Sequence, residues 1–286
     1  MSSNPVFSRI DREAERGYAG FRDRNLTAAT TGYAAQDQLS AQQLEEMYRQ
    51  APAGPVQTGR ITMDDVVMKT LGLFSIVLVL SAVGWMLAPT TGPALLLGGI
   101  AVTLVLGLVI AFKKTISVPL IVTYAAAEGL LVGSVSNIYS RIFDQPNTPV
   151  FEGIVAQAVL ATLSVFAGMF LAYRFGFIRV TDKFRRFMGM ALIGYLIFAV
   201  VNFAYAWFGG GSPFGFGGTG MLGIGISLFA CGLAAFSLAL DFDSIDRAIA
   251  AGAPQKYSWL LAHGLIVTLV WLYLEILRLL ARLRSD

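Results

Sequence analysis

The segment SWLLAHGLIVTLVWLYLEILRLLA, residues 258–281, has the length and composition of a membrane-crossing helix. A helix needs about 20 mostly apolar residues to cross the roughly 30 Å hydrocarbon core of a bilayer. This segment exceeds that length, and its acidic, basic and imidazole side chains are limited to His263, Glu275 and Arg278. The sequence therefore predicts that residues 258–281 form a transmembrane helix.

Six more apolar segments of similar length precede it. The chain of 286 residues is 56% hydrophobic and only 14% charged, whereas a soluble domain is about a quarter charged. Thr62, followed by Asp65, is a helix-start signal just before the first segment. We therefore predict an all-α polytopic membrane protein, with seven transmembrane helices in residues 62–286. The six further spans are 66–88, 92–112, 116–139, 151–173, 187–208 and 218–241.

The first 61 residues differ from the rest of the chain in composition. They are polar, and the stretch APAGPVQTG at 51–59 is typical of a linker. The stretch SAQQLEEMYRQ at 40–50 is compatible with one short helix. We predict that residues 1–61 form a cytoplasmic, largely disordered tail, because they contain too little apolar surface to build a core.

The distribution of basic residues predicts the orientation in the membrane. Lysine and arginine near a span remain on the cytoplasmic side. With the N-terminus inside, 17 of the 21 basic residues are cytoplasmic, and the four outside are Arg141, Arg278, Arg282 and Arg284. We therefore expect a multi-pass protein of the inner cell membrane with a cytoplasmic N-terminus. The three C-terminal arginines disagree with this orientation if the last helix crosses fully, so a tilted or re-entrant last helix is the alternative.

The sequence argues against several classes of function. The net charge is only +3, and no basic cluster with interleaved aromatic residues indicates nucleic-acid binding. Cys231 is the only cysteine, which excludes a disulfide within the chain and a cysteine metal site. The glycines of GGTGMLG (217–223) lack the strand–turn–helix context of a dinucleotide site, and DFDSID (241–246) lacks the glycine and glutamate of a calcium loop. We expect no enzymatic activity, no cofactor and no defined metal centre.

Acidic residues inside the predicted spans are the strongest functional candidates, because an ionisable group is costly in the bilayer. Glu128 lies about eleven residues into the third span, or ~16 Å at 1.5 Å per residue, with no basic residue within one helical turn. Asp241 closes the sixth span. Glu275 lies near the far end of the seventh, where it could pair with Arg278. Two such carboxyls meeting in a low-dielectric cavity would share a proton and, once deprotonated, could hold a cation.

Three other residues near these acids have simpler interpretations. Asp243 and Asp246 follow the sixth span and are expected to be solvated helix-end residues. His263 is the only histidine, so it is expected to be packed or hydrogen-bonded within the core rather than part of a histidine metal site. Asp243 and His263 are kept as secondary candidates for the site.

The segments YAAAEGLLVGSVSNIY (124–139), YRFGFIRVTDKFRR (173–186), LALDFDSID (238–246) and GAPQKYSWLLAHGLIVTLVWLYLEILRLL (252–280) together resemble the Bax inhibitor-1-like (transmembrane Bax inhibitor motif) family. The likeness covers about residues 62–281 and is closest to the bacterial branch with a long N-terminal extension. It implies a seven-helix fold in which the other six helices wrap the last one. It also implies a pH-sensitive calcium leak governed by two acids on helices six and seven, with a helix-two arginine as their latch.

The resemblance carries over to this chain only in part. Asp241 matches the first acid. Glu275 takes the place of the second acid if LYLE (272–275) is aligned, whereas Thr268 takes it if ILRLL (276–280) is aligned. Span two contains no arginine, and its nearest bases are Lys113 and Lys114.

Together these observations predict an inner-membrane cation leak that uses Asp241, Glu275 and Glu128, with calcium ions as the expected cargo. A second interpretation is a membrane interaction protein that modulates a membrane protease or other complex, with residues 1–61 as the docking element. The first interpretation depends on the carboxyls lying close together, and the second depends on the tail.

Overall fold

The computed structural model describes residues 59–208 and 214–285, and every regular element within them is a helix. All seven helices are long and apolar enough to cross a membrane, which confirms the predicted all-α polytopic architecture. The described residues do not include 1–58, so most of the predicted tail lies outside them, together with the short helix expected at 40–50. The helices are α1 (Met63–Thr91), α2 (Pro93–Phe112), α3 (Val118–Phe143), α4 (Ile154–Arg174), α5 (Asp182–Phe208), α6 (Met221–Ala250) and α7 (Tyr257–Leu283).

Local sequence signals explain where two of these helices begin and end. The predicted start of α1 is confirmed, since the Asp65 backbone N–H donates to the Thr62 hydroxyl at 3.2 Å and the Thr62 N–H donates to the Asp65 carboxylate at 3.2 Å. The predicted end of the sixth span at 241 is wrong, because α6 continues to Ala250. Gly252, two residues after the last helical residue, has a φ of 64°, which permits the reverse turn that terminates the helix.

Helix α7 forms the core of the bundle. About four-fifths (78%) of its most apolar stretch is buried, compared with 6% of the corresponding stretch of α5. Helices α1, α3, α4 and α6 pack directly against α7, while α2 packs mainly against α3. Helix α5 reaches α7 through Tyr195, whose ring lies 5.7 Å from the Trp271 ring. The most buried helix therefore carries His263, Thr268 and Glu275.

Glycines allow α1 and α3 to approach each other closely. A Cβ atom on Gly129 would lie 2.7 Å from the Val77 carbonyl oxygen, and one on Gly133 would overlap the Ser81 carbonyl. Gly84 on α1 meets the Leu130 backbone in the same way. Small residues spaced four apart are a common means of close helix packing in membranes. This contact sets the position of α3, and hence of Glu128, relative to the core.

Both ends of α7 are attached to other parts of the bundle. At its start, Lys69 of α1 donates to the Ser258 hydroxyl at 2.5 Å, and Gln255 donates to Asp65 at 2.8 Å. At its end, Arg284 forms an ion pair with Asp144, just beyond α3, at 2.6 Å. Helix α7 is therefore continuous from one face of the bundle to the other. It starts on the face where α1 begins, termed here the N-terminal face, and ends on the opposite face.

Candidate functional site

Asp241 lies in the packed centre of the bundle, where its residue is only 1% exposed. Its position on α6 brings its carboxyl next to the Thr268 side chain of α7. The Oδ2 atom of Asp241 has no hydrogen-bond partner among residues 59–208 and 214–285. An acid so placed is costly when ionised, because a buried charge needs a partner to offset its lost hydration.

Thr268 can serve either protonation state of Asp241. The Thr268 hydroxyl donates to the Gly264 carbonyl at 3.2 Å. A threonine hydroxyl has one proton to donate and two lone pairs that accept. While the Thr268 hydroxyl donates to the Gly264 carbonyl, its oxygen can accept a hydrogen bond from neutral Asp241. After the hydroxyl rotates, it can donate to the ionised carboxylate instead. The pair is therefore suited to a carboxyl that changes protonation state.

Glu275 belongs to a separate and fully bonded cluster. It accepts hydrogen bonds from the Tyr195 hydroxyl at 2.5 Å and from the Trp271 indole at 3.2 Å. The predicted local pair with Arg278 is present, at 3.2 Å. Seven residues separate Thr268 from Glu275, which is about 10 Å along a helix. Asp241 of α6 therefore lies beside Thr268 of α7 and not beside Glu275.

Glu128 occupies a third buried position, on α3. It is 5% exposed, and Tyr124, one turn earlier, donates to its carboxyl at 3.1 Å. The Tyr124 ring meets His263 of α7 edge-on, with 4.5 Å between ring centres. His263 is buried, as expected for a core histidine. The Oε2 atom of Glu128 has no partner within the described part of the chain. Glu128 therefore resembles Asp241 in being incompletely bonded.

Asp243 is not the solvated helix-end residue that the sequence suggested. Its side chain forms ion pairs with Arg185 of α5 and with Arg247, the latter at 3.1 Å. Arg185 is itself only 3% exposed. Asp246 is exposed as predicted and accepts a hydrogen bond from Tyr173 at 2.8 Å. Because Asp243 is neutralised inside the bundle, α6 does not need to end at Asp241.

The comparisons with known proteins agree with this architecture. A sequence model of the family described as Bax inhibitor 1 like matches residues 4–285. The chain belongs to this family. The match extends beyond the resemblance noted over 62–281 and takes in most of the N-terminal region. A comparison with curated proteins found no match.

This Bax inhibitor 1 like protein departs from the expected arrangement of acids. The residue opposite Asp241 is Thr268, one of the two positions that the resemblance leaves open for the second acid. In the described ranges no three histidine, cysteine or acidic side chains come together as a potential metal centre. The glycines of motif 217–223 pack against each other at the start of α6, since a Cβ atom on Gly223 would lie 3.0 Å from the Gly217 carbonyl oxygen. The Gly223 carbonyl accepts a hydrogen bond from Arg282.

Sequence reasoning missed Arg185 as a partner inside the bundle. The signal was its place in the basic stretch YRFGFIRVTDKFRR, which was interpreted as a loop that sets the orientation. Helix α5 begins at Asp182, five residues before its predicted start, so Arg185 lies on the helix and can face α6. Tyr195 was missed for a related reason, because nothing along the chain indicates which face of α5 meets Glu275.

Proposed function

We propose that this protein is a pH-sensitive cation leak of the inner membrane, with Asp241 as the group that changes charge. The observation that supports it is the central carboxyl of Asp241, 1% exposed, incompletely bonded and facing the Thr268 hydroxyl. A buried acid with a spare oxygen and no ion-pair partner among the described residues has no evident structural role. Ionisable groups of this kind mark ion pathways in membrane proteins.

The proposed mechanism follows from the charge of one carboxyl. When Asp241 is protonated, the α6–α7 contact is neutral and offers no attraction to a cation. When it loses its proton, the carboxylate and the Thr268 hydroxyl present oxygen ligands of the type that calcium prefers. The unpaired negative charge also favours entry of a cation into the bundle. We therefore expect the leak to increase as pH rises.

The other two acids have different roles in this proposal. Glu275 is bonded to Tyr195, Trp271 and Arg278 and acts as a brace between α5 and α7. Glu128, whose Oε2 has no hydrogen-bond partner in the described part of the chain, is a second oxygen site on α3 at a different position along the pathway. The pathway thus depends on Asp241 first and on Glu128 second.

We further propose that the N-terminal face is cytoplasmic. The distribution of 17 of the 21 basic residues supports this orientation. The C-terminal arginines on the opposite face have local partners. Arg278 pairs with Glu275, Arg284 pairs with Asp144, and Arg282 donates to backbone carbonyls including that of Phe214 at 3.0 Å. Their engagement in the fold accounts for basic residues on the outer side.

Calcium flux into liposomes tests the leak directly. The protein is reconstituted in vesicles containing a calcium-sensitive dye, and flux is recorded from mildly acidic to mildly alkaline pH. We expect flux that rises with pH and an Asp241→Asn variant that lacks this rise. Absence of flux at every pH, or an unchanged profile in the variant, would contradict the proposal.

A docking role for the N-terminal region is a second candidate. The family match begins at residue 4, whereas the first helix among the described residues begins at Met63. Such a region suits a membrane protein partner, for example a membrane protease complex. Removing residues 1–58 separates the two functions: loss of co-purifying partners with intact flux supports docking, whereas lost flux with unchanged partners supports the leak alone.

A further inference from the structure

A large cavity opens between α1, α4 and α6 on the N-terminal face. Its volume is about 870 Å³, which is within the range of small-molecule sites. The walls are mostly apolar and include Val66 and Leu71 of α1, Phe166 and Phe170 of α4, and Phe242 of α6. Phe242 directly follows Asp241 in the chain, so the cavity wall adjoins the candidate site.

The cavity lies at the depth where lipid headgroups meet acyl chains. Its α1 lining extends from Met63 to Leu71, which is about 12 Å of helix measured from the start of the span. Its α4 lining covers the last turns of that helix, from Phe166 to Arg174. The apolar part therefore points into the membrane, and the polar rim lies at the surface of the N-terminal face.

Two exposed arginines, Arg174 and Arg179, contribute to this rim. Neither has an ion-pair partner within residues 59–208 and 214–285. Of the two acids at the rim, Asp243 is paired with Arg185 and Arg247, whereas Asp246 accepts a hydrogen bond from Tyr173 and keeps its negative charge. Two arginines at the rim thus face one acid without an ion-pair partner among the described residues. The rim therefore has positive charge available for an anion.

The turn after α4 holds one of these arginines over the cavity. Gly176, with φ of 74°, reverses the chain, and the Phe177 and Gly176 N–H groups bond to the Ala172 and Tyr173 carbonyls at 2.9 and 3.0 Å. This is the Schellman ending of a helix, in which glycine is favoured because φ is positive. It places Arg179, a few residues later, at the rim instead of along the helix axis.

From the apolar walls, their position along α1 and α4 and the two arginines at the rim, we propose that the cavity binds an anionic phospholipid. The acyl chains lie against the phenylalanines of α4 and α6, and the phosphate lies between Arg174 and Arg179. Basic pockets between transmembrane helices are known to suit anionic headgroups. The lipid would hold α6 against α1 and α4, beside the residue that follows Asp241. This inference does not depend on cation transport.

Lipid binding to the full-length protein tests the proposal. Phosphatidylglycerol and phosphatidylcholine with the same acyl chains are titrated into the delipidated protein in detergent, and bound lipid is counted by native mass spectrometry. We expect phosphatidylglycerol to bind more tightly than phosphatidylcholine. The Arg174→Gln/Arg179→Gln double variant should bind phosphatidylglycerol roughly 10- to 30-fold more weakly at low salt.

A matched control is available on the same face. Lys183 and Arg186 are exposed at the start of α5 and do not line the cavity. The Lys183→Gln/Arg186→Gln variant removes the same charge and should retain wild-type affinity. A Leu71→Trp variant, which fills the apolar part, should lose binding of both lipids. Equal binding of the two lipids, or equal losses in the two charge variants, would overturn the proposal.

Discussion

Asp241 and Glu275 are both buried carboxyls on adjacent helices, yet their surroundings differ. Glu275 has a basic partner and two further donors, so its charge is fully offset. Within the described residues, Asp241 has the Thr268 side chain beside it and one oxygen without a hydrogen-bond partner. The partners of an intramembrane acid, rather than its depth, therefore decide its role. A bonded acid braces the helices, whereas an incompletely bonded one can change protonation state.

Replacement of Asp241 should have the largest effect. In Asp241→Asn the carboxylate can no longer attract a cation, an interaction of about 4 kcal/mol for unit charges 4 Å apart at an effective dielectric of about 20. We expect calcium flux at alkaline pH to fall by roughly 100-fold or more, with little change in the thermal midpoint. Liposome flux and thermal unfolding in detergent measure the two quantities. Strong flux that still rises with pH would show that the charge-changing group lies elsewhere.

Replacement of Glu275 should affect stability instead. In Glu275→Gln the Arg278 guanidinium loses its carboxylate, and hydrogen bonds to a charged group are worth about 1.5–3 kcal/mol. We expect a lower thermal midpoint in detergent and a flux profile whose shape along the pH axis is unchanged. A Glu275→Gln variant that loses the pH dependence of flux but is as stable as the wild type would contradict the structural role of Glu275.

Replacement of Thr268 should shift the pH dependence that is attributed to Asp241. Thr268→Val removes a hydroxyl that serves both protonation states of Asp241. A hydrogen bond to the ionised carboxylate is stronger than one to the neutral acid by about 1–1.5 kcal/mol, which corresponds to about one pH unit. Since the neutral acid is then favoured, the rise in flux should move to more alkaline pH. Thr268→Ser is the matched control, because it retains the hydroxyl and should retain the wild-type profile.

Replacement of Glu128 should have the smallest effect. Glu128→Gln retains an oxygen that can accept from Tyr124, so the change in unfolding free energy should stay below about 1 kcal/mol. The flux should keep its pH dependence and lose less amplitude than in Asp241→Asn. An effect as large as that of Asp241→Asn would make Glu128 an equal member of the site and would weaken the ranking of the acids.

Several features of the site were predictable because they depend on local chemistry. The pair between Glu275 and Arg278 follows from their spacing on one helix, and the Thr62 cap follows from the residue three positions later. The encounter of Asp241 with Thr268 was one of two alignments left open. Arg185 and Tyr195 were not predicted, since their partners lie 58 and 80 residues away along the chain.

The seven spans follow from the sequence alone, because a bilayer selects segments by length and hydropathy, both of which are read along one dimension. The tertiary structure alone decides which side chains meet. Each residue turns a helix by about 100°, so the facing residues depend on the rotation and register of each helix against its neighbours. The close α1–α3 approach at Gly129 and Gly133 is one contact that sets this register. Packing of this kind brings Thr268 to Asp241 and leaves Glu275 with Tyr195.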